Sequence, residues 1–122
     1  MPQRILITDD DELVLMSLEE LLGAEGYEIV TASNGRKALE LAGKETFDAV
    51  FLDIIMPGGM TGTEVCKLLR LNDKYKTVPI VMLTAKNTES DRKQGMEAGA
   101  DYFLAKPTDP VKLIEIVKRI LP

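Results

Sequence analysis

Histidine and tryptophan are both absent from the 122 residues of this chain. The missing histidine removes the commonest general base and the commonest transition-metal ligand, so any metal should be a hard one that prefers oxygen ligands. The single cysteine, Cys66, rules out an internal disulfide and fits a reducing compartment. No apolar run approaches membrane-spanning length, and the first residues lack the apolar segment of a signal peptide. We therefore expect a cytoplasmic protein with no membrane contact.

An excess of basic charge is also missing. The chain has 20 acidic and 15 basic residues and a net charge of −5, which argues against a nucleic-acid surface because such surfaces need clustered Lys and Arg. The apolar fraction of 45% and the charged fraction of 29% are typical of a globular protein. The length suits a single domain over residues 1–122.

Short apolar segments alternate five times with helical patterns. The predicted strands are residues 4–8, 27–32, 48–53, 79–84 and 101–105. The predicted helices are residues 11–24, 34–43, 63–71, 88–98 and 110–121. Near-continuous apolar strands that alternate with helices predict a doubly wound α/β domain, whose parallel sheet is covered on both faces.

Charged or hydroxyl side chains stand where four of the five predicted strands end: Asp9-Asp10, Asp53, Thr84 and Lys106. Each has an ordinary structural explanation, as a helix cap, a turn aspartate, a strand end or a solvated lysine. In open α/β sheets, however, the carboxyl ends of the strands share one edge, where ligands bind. Three converging carboxylates need a cation such as Mg²⁺, and a lysine and a hydroxyl would suit the oxygens of a phosphoryl group.

This ordered set resembles the receiver domain of two-component response regulators. The resemblance covers essentially the whole chain and rests on Asp9-Asp10, on Asp53-x-x-Met56-Pro57, on Thr84-Ala85 and on Lys106-Pro107. It implies a flavodoxin-like fold, in which five helices surround a five-stranded parallel sheet of order 2-1-3-4-5. It also implies a signalling switch rather than a turnover enzyme.

The resemblance implies a phosphoacceptor and a metal site. Asp53 matches the aspartate whose carboxylate attacks a phosphoryl group and becomes an aspartyl phosphate. The implied cofactor is Mg²⁺, with Mn²⁺ as a substitute. The implied metal ligands are Asp53, Asp10 directly, Asp9 through water, and the backbone carbonyl of Ile55. Asp11 is an additional acid, which we interpret as the cap of the first helix.

Three further residues match the parts of the family's switch. Thr84 matches the hydroxyl that moves to the phosphoryl oxygen, and Lys106 matches the lysine that pairs with it. Phe103 matches the aromatic residue that turns inward on activation, whereas Tyr102 is only its neighbour. The Lys106-Pro107 bond is often cis in the family, a form accessible chiefly before proline.

The chain departs from the family pattern in the loop at residues 56–62, which reads MPGGMTG and contains one extra glycine. Thr108 also stands where an aromatic residue is common. Ile55 and Lys86, each two residues after a matched site residue, flank the path of an attacking water in this family. We hypothesise that a bulky Ile55 and a cationic Lys86 alter water access and so the phosphate lifetime.

In this family the phosphoryl group comes from a phosphohistidine, so the resemblance implies that this chain, which has no histidine, depends on an external donor. The donor must be a histidine kinase, a histidine phosphotransfer protein or a small phosphodonor. The predicted apolar stripe of the first helix consists of Val14, Leu18, Leu21 and Leu22. Leu13 and Met16 lie off this stripe and are either scattered surface residues or a docking patch for a phosphohistidine helix bundle. Residues 87–99 are either the moving element of the switch or a poorly anchored surface helix.

Other functions remain open at this point. The chain could be a receiver fragment of a longer regulator or hybrid kinase, or a degenerate receiver used only for binding, although no key residue is missing. A phosphohydrolase with an aspartate nucleophile, similar to the haloacid dehalogenases, needs D-x-D-x-T/V, and Leu13 breaks that motif. The sequence names neither the cognate kinase nor the downstream target, and it leaves open whether phosphorylation drives dimerisation.

Overall fold

Five strands and five α-helices alternate along the chain, as the sequence pattern predicts. The computed structural model describes residues 2–56, 59–85 and 89–122. The strands are β1 (Arg4–Thr8), β2 (Glu28–Ala32), β3 (Ala49–Asp53), β4 (Ile80–Thr84) and β5 (Tyr102–Ala105). The helices are α1 (Glu12–Ala24), α2 (Gly35–Lys44), α3 (Gly62–Leu71), α4 (Glu89–Ala98) and α5 (Pro110–Ile120). Among the described residues, no helix is long and apolar enough to cross a membrane.

The strands form one parallel sheet in the order β2-β1-β3-β4-β5, which confirms the predicted topology. In register, Thr8 at the end of β1 pairs with Leu52 of β3, and Thr84 at the end of β4 pairs with Ala105 of β5. Because all strands run in the same direction, their carboxyl ends lie at one edge of the sheet. The residues that follow these ends are therefore brought together by the topology alone.

The two faces of the sheet bury separate apolar cores. Helices α1 and α5 cover one face, and α2, α3 and α4 cover the other. On α1 the buried residues are Leu15, Leu18 and Leu22, and burying each such side chain is worth about 1.5–3 kcal/mol. The predicted stripe ran through Val14 and Leu21 instead of Leu15; both are only partly buried, at the edge of the core.

Helices α1 and α5 are each capped by an aspartate, and the cap of α1 confirms the interpretation of Asp11. Asp11 caps α1 by accepting a hydrogen bond from the backbone N–H of Leu13 at 2.9 Å, and Asp109 caps α5 by accepting one from Val111 at 2.9 Å. Pro110 occupies the first turn of α5, where its missing N–H leaves no bond unmade. These caps fix where the helices leave the edge at which the strands end.

A short 3-10 helix at Asp73–Tyr75 was not predicted from the sequence. Its Tyr75 is completely buried between α2 and the sheet, and the phenol oxygen lies 2.8 Å from the carbonyl oxygen of Ala42. The turn joins the end of α3 to the start of β4, at the edge of the sheet opposite the strand ends. It therefore contributes to stability and lies away from the candidate site.

Candidate functional site

Three carboxylates meet at the ends of β1 and β3. Carboxylate oxygens of Asp9, Asp10 and Asp53 all lie within 4.8 Å of one another. Asp9 and Asp53 are buried, with 0% and 5% of their surface exposed, whereas Asp10 is exposed to solvent. The adjacent ends of two parallel strands produce this convergence, as the sequence predicted. Such a group of acids is tolerable only with compensating positive charge.

Lys106, which follows β5, supplies part of that charge. Its ammonium forms one ion pair with Asp53 Oδ2 at 3.0 Å and a second with Asp9 Oδ2. Only 17% of the lysine side chain is exposed, so solvent screens these pairs weakly. Three carboxylates against one ammonium leave an excess of negative charge, which a divalent cation would neutralise.

The environment of Asp53 disfavours its charged form. Burial is the largest effect, and with the nearby Asp9 it raises the pKa of Asp53 from 3.8 to about 6, against the opposing hydrogen bond from Lys106. Burial alone would lower the pKa of Lys106, but its bonds to Asp9 and Asp53 outweigh burial and raise it. The ionised form of Asp53 is therefore destabilised, and any added positive charge would stabilise it.

The chain folds back tightly after Asp53. Asp53 Oδ1 accepts a hydrogen bond from the N–H of Ile55 at 3.3 Å, and the N–H of Gly62 donates to the carbonyl of Ile54 at 2.8 Å. A Cβ on Gly62 would lie 2.1 Å from the carbonyl oxygen of Asp53, so only glycine fits there. The side chain of Ile55 is 60% exposed. The start of α3 is therefore pressed against the backbone that carries Asp53.

The side chains at this edge divide between the two faces of the sheet. Alternation along each strand places Asp53 on the face covered by α1 and α5, together with Phe51, and Lys106 on the same face, together with Leu104. The same alternation places Thr84 on the opposite face, together with Met82. Thr84 is buried, with 2% of its surface exposed.

Phe103 of β5 lies on the same face as Thr84, beneath α4. The ring packs so closely on Gly95 that a Cβ there would lie 2.6 Å from two ring carbons. The guanidinium carbon of Arg92 lies 5.7 Å from the ring centroid, within range of a cation–π contact. Tyr102 packs on the other face, with α5. Phe103 is thus the aromatic residue of β5 that contacts α4.

Residues 5–118 match the sequence model of a family described as "Response regulator receiver domain". The chain belongs to this family. It is a receiver domain of the two-component signalling type, and the sequence resemblance is confirmed.

Relatives with known names support the same assignment of this receiver domain. It is 42% identical to the response regulator PleD of Caulobacter vibrioides, over 98% of this chain and 26% of that protein. It is 41% identical to the regulatory protein PhoP of Bacillus subtilis, over 99% of this chain and 49% of that protein. The receiver domain therefore spans about a quarter to a half of these relatives.

Solved structures agree with the fold of the receiver domain. The chemotaxis protein CheY4 of Vibrio cholerae superposes with a TM-score of 0.95 at 36% identity, covering 99% of this chain and 100% of that one. The receiver domain of the sensor histidine kinase PA1611 of Pseudomonas aeruginosa superposes with a TM-score of 0.89 at 28% identity, covering 98% and 97%. That structure holds a magnesium ion in its active-site cleft. The acids at the equivalent edge of this receiver domain have the oxygen donors and the excess negative charge that fit the same ion.

An apolar groove runs from this edge of the receiver domain between α1 and α5. It has a volume of about 420 Å³, and its lining includes Leu13, Leu21, Pro107 and Leu113 beside Lys106. Leu13 is 74% exposed and borders the groove. Met16 is 65% exposed but does not line it. Of the two predicted docking residues, Leu13 is the one that faces the groove.

The structure describes only some of the remaining residues that were predicted to belong to the site. The Lys106-Pro107 peptide bond is cis. Lys86 lies outside the described residues, as do Pro57 and Gly58 of the loop with the extra glycine.

Sequence reasoning missed two glycines of the receiver domain whose lack of a side chain shapes the site. The carbonyl of Asp53 lies against the backbone at Gly62, and the ring of Phe103 lies against the backbone at Gly95, so neither position has room for a side chain. A glycine at the start of one helix and another inside a second helix were the available signals. Neither signal shows what approaches the backbone, because the approaching group lies far away in the sequence.

Proposed function

We propose that this receiver domain accepts a phosphoryl group on Asp53 in a reaction that depends on Mg²⁺. The observation that carries the proposal is the position of Asp53, which is buried among Asp9, Asp10 and Lys106. A carboxylate whose pKa is raised to about 6 is still ionised at neutral pH and is a better nucleophile than an ordinary aspartate. The lysine beside it offers a partner for the oxygens that arrive with the phosphoryl group.

In the proposed step, a carboxylate oxygen of Asp53 attacks phosphorus and forms a P–O bond. The P–N bond to the donor histidine breaks, and its electron pair goes to that nitrogen. The imidazole, protonated on its other nitrogen, leaves in the neutral form. With a small acyl phosphate, the bond that breaks is the one between phosphorus and the acyl oxygen. This chain has no histidine, so the donor is a histidine kinase, a histidine phosphotransfer protein or a small phosphodonor.

Asp10, Asp9, Asp53 and the carbonyl of Ile55 would hold the metal in this proposal. Asp10 would be a direct ligand, because it is exposed at the rim, while Asp9 is engaged by Lys106 and would act through water. Mg²⁺, or Mn²⁺ as its substitute, would supply positive charge to the carboxylates and the phosphoryl oxygens during transfer.

Phosphorylation would then act through Lys106, Thr84 and Phe103. The lysine exchanges the carboxylate of Asp53 for an oxygen of the phosphoryl group, and the hydroxyl of Thr84 moves to another oxygen. The phosphoryl group thereby biases a two-state equilibrium through contacts that exist only in the modified protein. Because Thr84 and Phe103 share one face of the sheet, movement of Thr84 changes the space available to Phe103 and so to α4.

The intact mass of the protein tests the proposed chemistry. After incubation with acetyl phosphate and Mg²⁺, we expect a gain of one phosphoryl group, which is lost in Asp53→Ala and in the presence of a chelator. Asp73→Ala is the control, since Asp73 is an exposed acid in the 3-10 turn, and it should be phosphorylated normally. A phosphoryl group that persists in Asp53→Ala would overturn the assignment of Asp53.

The same experiment separates the switch from a phosphohydrolase. A switch retains one phosphoryl group on Asp53. An enzyme would release phosphate from a suitable substrate through many turnovers and would need Asp9 as its nucleophile. Sustained release of phosphate that survives Asp53→Ala but stops in Asp9→Asn would favour the enzyme.

We further propose that the groove between α1 and α5 receives the helix that carries the donor histidine. Lys106 lines the groove and also pairs with Asp53, so a helix in the groove would place its histidine beside the acids. The apolar side chain of Leu13 is exposed at its border. Met16 extends the same apolar surface along α1.

Leu13→Asp should slow phosphotransfer from a phosphohistidine protein and leave the reaction with acetyl phosphate unchanged. Leu71→Asp is a matched control, because Leu71 is 78% exposed on α3 and does not border the groove. An equal loss with both donors in Leu13→Asp would show damage to the site rather than to docking.

The lifetime of the phosphoryl group is proposed to depend on Ile55 and Lys86. The side chain of Ile55 is exposed beside Asp53, where it would obstruct an attacking water. Replacing both residues with small polar ones should change the rate at which the phosphorylated protein loses its phosphate. An unchanged lifetime would contradict this role.

The position of the domain in its cell and in a longer protein is also a proposal. A cytoplasmic location fits the single cysteine and the usual setting of receiver domains. The receiver domain could act on a separate target protein or on an output domain in the same chain. The greater length of the relatives favours the output domain. Experiments would identify that output domain or target and would show whether the protein forms a dimer on phosphorylation.

A further inference from the structure

The C-terminal end of α4 is tied to the rest of the protein by Arg70 of α3. The guanidinium of Arg70 donates two hydrogen bonds to the carbonyl of Gly99, at 3.0 and 2.8 Å. It also donates to the carbonyls of Tyr75 and Val78, both at 2.7 Å, and to the carboxylate of Asp101 at 2.8 Å. One side chain therefore joins α3, the end of α4 and the segments that enter β4 and β5.

The backbone at this end of α4 is closed as well. The N–H of Gly99 lies 3.0 Å from the carbonyl of Met96, and the N–H of Ala100 lies 3.0 Å from that of Gly95, which is the pattern of a Schellman cap. Gly99 has a φ of 109°, a conformation that favours glycine. A Cβ on Gly99 would also lie 2.8 Å from Cγ of Arg70. Both the helix cap and the close approach of the Arg70 side chain therefore require glycine at position 99.

The first half of α4 lacks comparable burial. Glu89, Ser90 and Lys93 are exposed, and the buried residues of the helix are Gly95 and Ala98. One contact between this half and the sheet joins the guanidinium of Arg92 to the ring of Phe103, and Asp91 is half-buried. The helix is therefore held in place at Gly99, and at Gly95 it contacts the ring of Phe103.

We propose that Arg70 is a positioning residue that makes α4 pivot about Gly99 when Phe103 moves. The pivot rests on the proposed function, because phosphorylation is what moves Phe103. With a rise of 1.5 Å per residue, Gly95 lies about 6 Å and Glu89 about 15 Å from Gly99 along the helix axis. A shift of about 1 Å at Gly95 then moves Glu89 by about 2.5 Å. The fixed end turns a small movement of one ring into a larger movement of the surface of α4.

Amide hydrogen exchange tests the fixed end without any phosphorylation. In the wild-type protein we expect the amides of residues 91–94 to exchange at least about tenfold faster than those of Gly99 and Ala100, through local opening of the first half. Arg70→Met should raise exchange at Gly99 and Ala100 about tenfold or more and leave residues 91–94 unchanged. Lys67→Met is the matched control: it removes an exposed cation from the same helix and should change neither region.

A conservative variant and the phosphorylated protein complete the test. Arg70→Lys keeps the charge near Asp101 but cannot bridge the carbonyls, so it should resemble Arg70→Met. After treatment with acetyl phosphate, the change in exchange should be confined to the first half of α4 in the wild type and should spread to Gly99 in Arg70→Met.

Two results would overturn the pivot. One is uniform protection along α4 in the unmodified protein. The other is a change on phosphorylation that is as large at Gly99 as at residues 91–94. Intact mass measured on the same sample reports phosphorylation separately. A sample that takes up no phosphate contradicts the proposed function, while exchange in the unmodified variants still decides whether Arg70 fixes the end of the helix.

Discussion

Replacing the buried carboxylate of Asp53 by its neutral isostere should stabilise the metal-free protein. Asp53 has a raised pKa because it is buried beside Asp9, and the pair with Lys106 compensates only in part. The charged form therefore weakens the folded state. Asp53→Asn removes the charge and keeps the shape, so the variant should be the more stable protein wherever Asp53 is ionised.

The size and pH dependence of this gain follow from the pKa. A folded-state pKa of about 6 against an ordinary value of 3.8 corresponds to about 3 kcal/mol when Asp53 is ionised in both states. Because the folded pKa is the higher one, the free-energy cost is absent well below pH 3.8, grows between the two values and is complete above pH 6. We expect a gain of about 3 kcal/mol at pH 7.5 and about half of that at pH 5.

Urea unfolding followed by circular dichroism, in the presence of a chelator, measures this difference. Asp10→Asn is the control, since Asp10 is exposed and its replacement should change the free energy of unfolding by less than about 0.5 kcal/mol. Mg²⁺ should reduce the difference in the free energy of unfolding between Asp53→Asn and the wild type, because it stabilises the wild type. A variant that is no more stable than the wild type, or a gain that does not grow with pH, would refute the reasoning.

Three other substitutions, with Gly43→Ala as a control for the last of them, test the surroundings of the site by urea unfolding. Thr8 is completely buried and its hydroxyl has no hydrogen-bond partner among the residues that the structure describes, so Thr8→Val should stabilise by about 1 kcal/mol. A loss of stability would mean that the hydroxyl is satisfied in solution. Lys106→Met leaves two buried carboxylates without their counter-charge and should destabilise the metal-free protein by about 3 kcal/mol, with part recovered in Mg²⁺; an unchanged stability would argue against the ion pairs. Gly62→Ala forces a Cβ against the carbonyl that ends β3 and should destabilise by about 2 kcal/mol, whereas Gly43→Ala, with open space in α2, should stabilise by up to about 1 kcal/mol.

The fold could be predicted from the sequence because each strand is a short apolar run and each helix has a polar face. The strand order followed from the family resemblance rather than from the pattern. The 3-10 helix could not be predicted, since the polar residues around Tyr75 read as a loop. The buried hydroxyl of that tyrosine is satisfied by the carbonyls of Ala42 and Glu45, which lie 33 and 30 residues earlier in the chain.

The candidate site was predictable to the extent that it lies at strand ends. Parallel strands bring their ends together whatever the details of packing, so Asp9, Asp10 and Asp53 were expected to meet. The second ion pair of Lys106, with Asp9, was not expected, because the sequence gives the lysine's position but not the direction of its side chain. The roles of Gly62 and Gly95 depend on close approaches that only three-dimensional packing reveals.

The alternation of side chains along the strands has a consequence for engineering and for evolutionary change. Asp53 and Lys106 lie on the face of the sheet that carries the groove of α1 and α5, whereas Thr84 and Phe103 lie on the face that α4 covers. In the proposed function, docking of the donor therefore involves one face of the sheet, and the movement of α4 involves the other. On this proposal the two faces could be altered separately: substitutions on the exposed side of α1 would change the docking of the donor, and substitutions on α4 would change the response to phosphorylation.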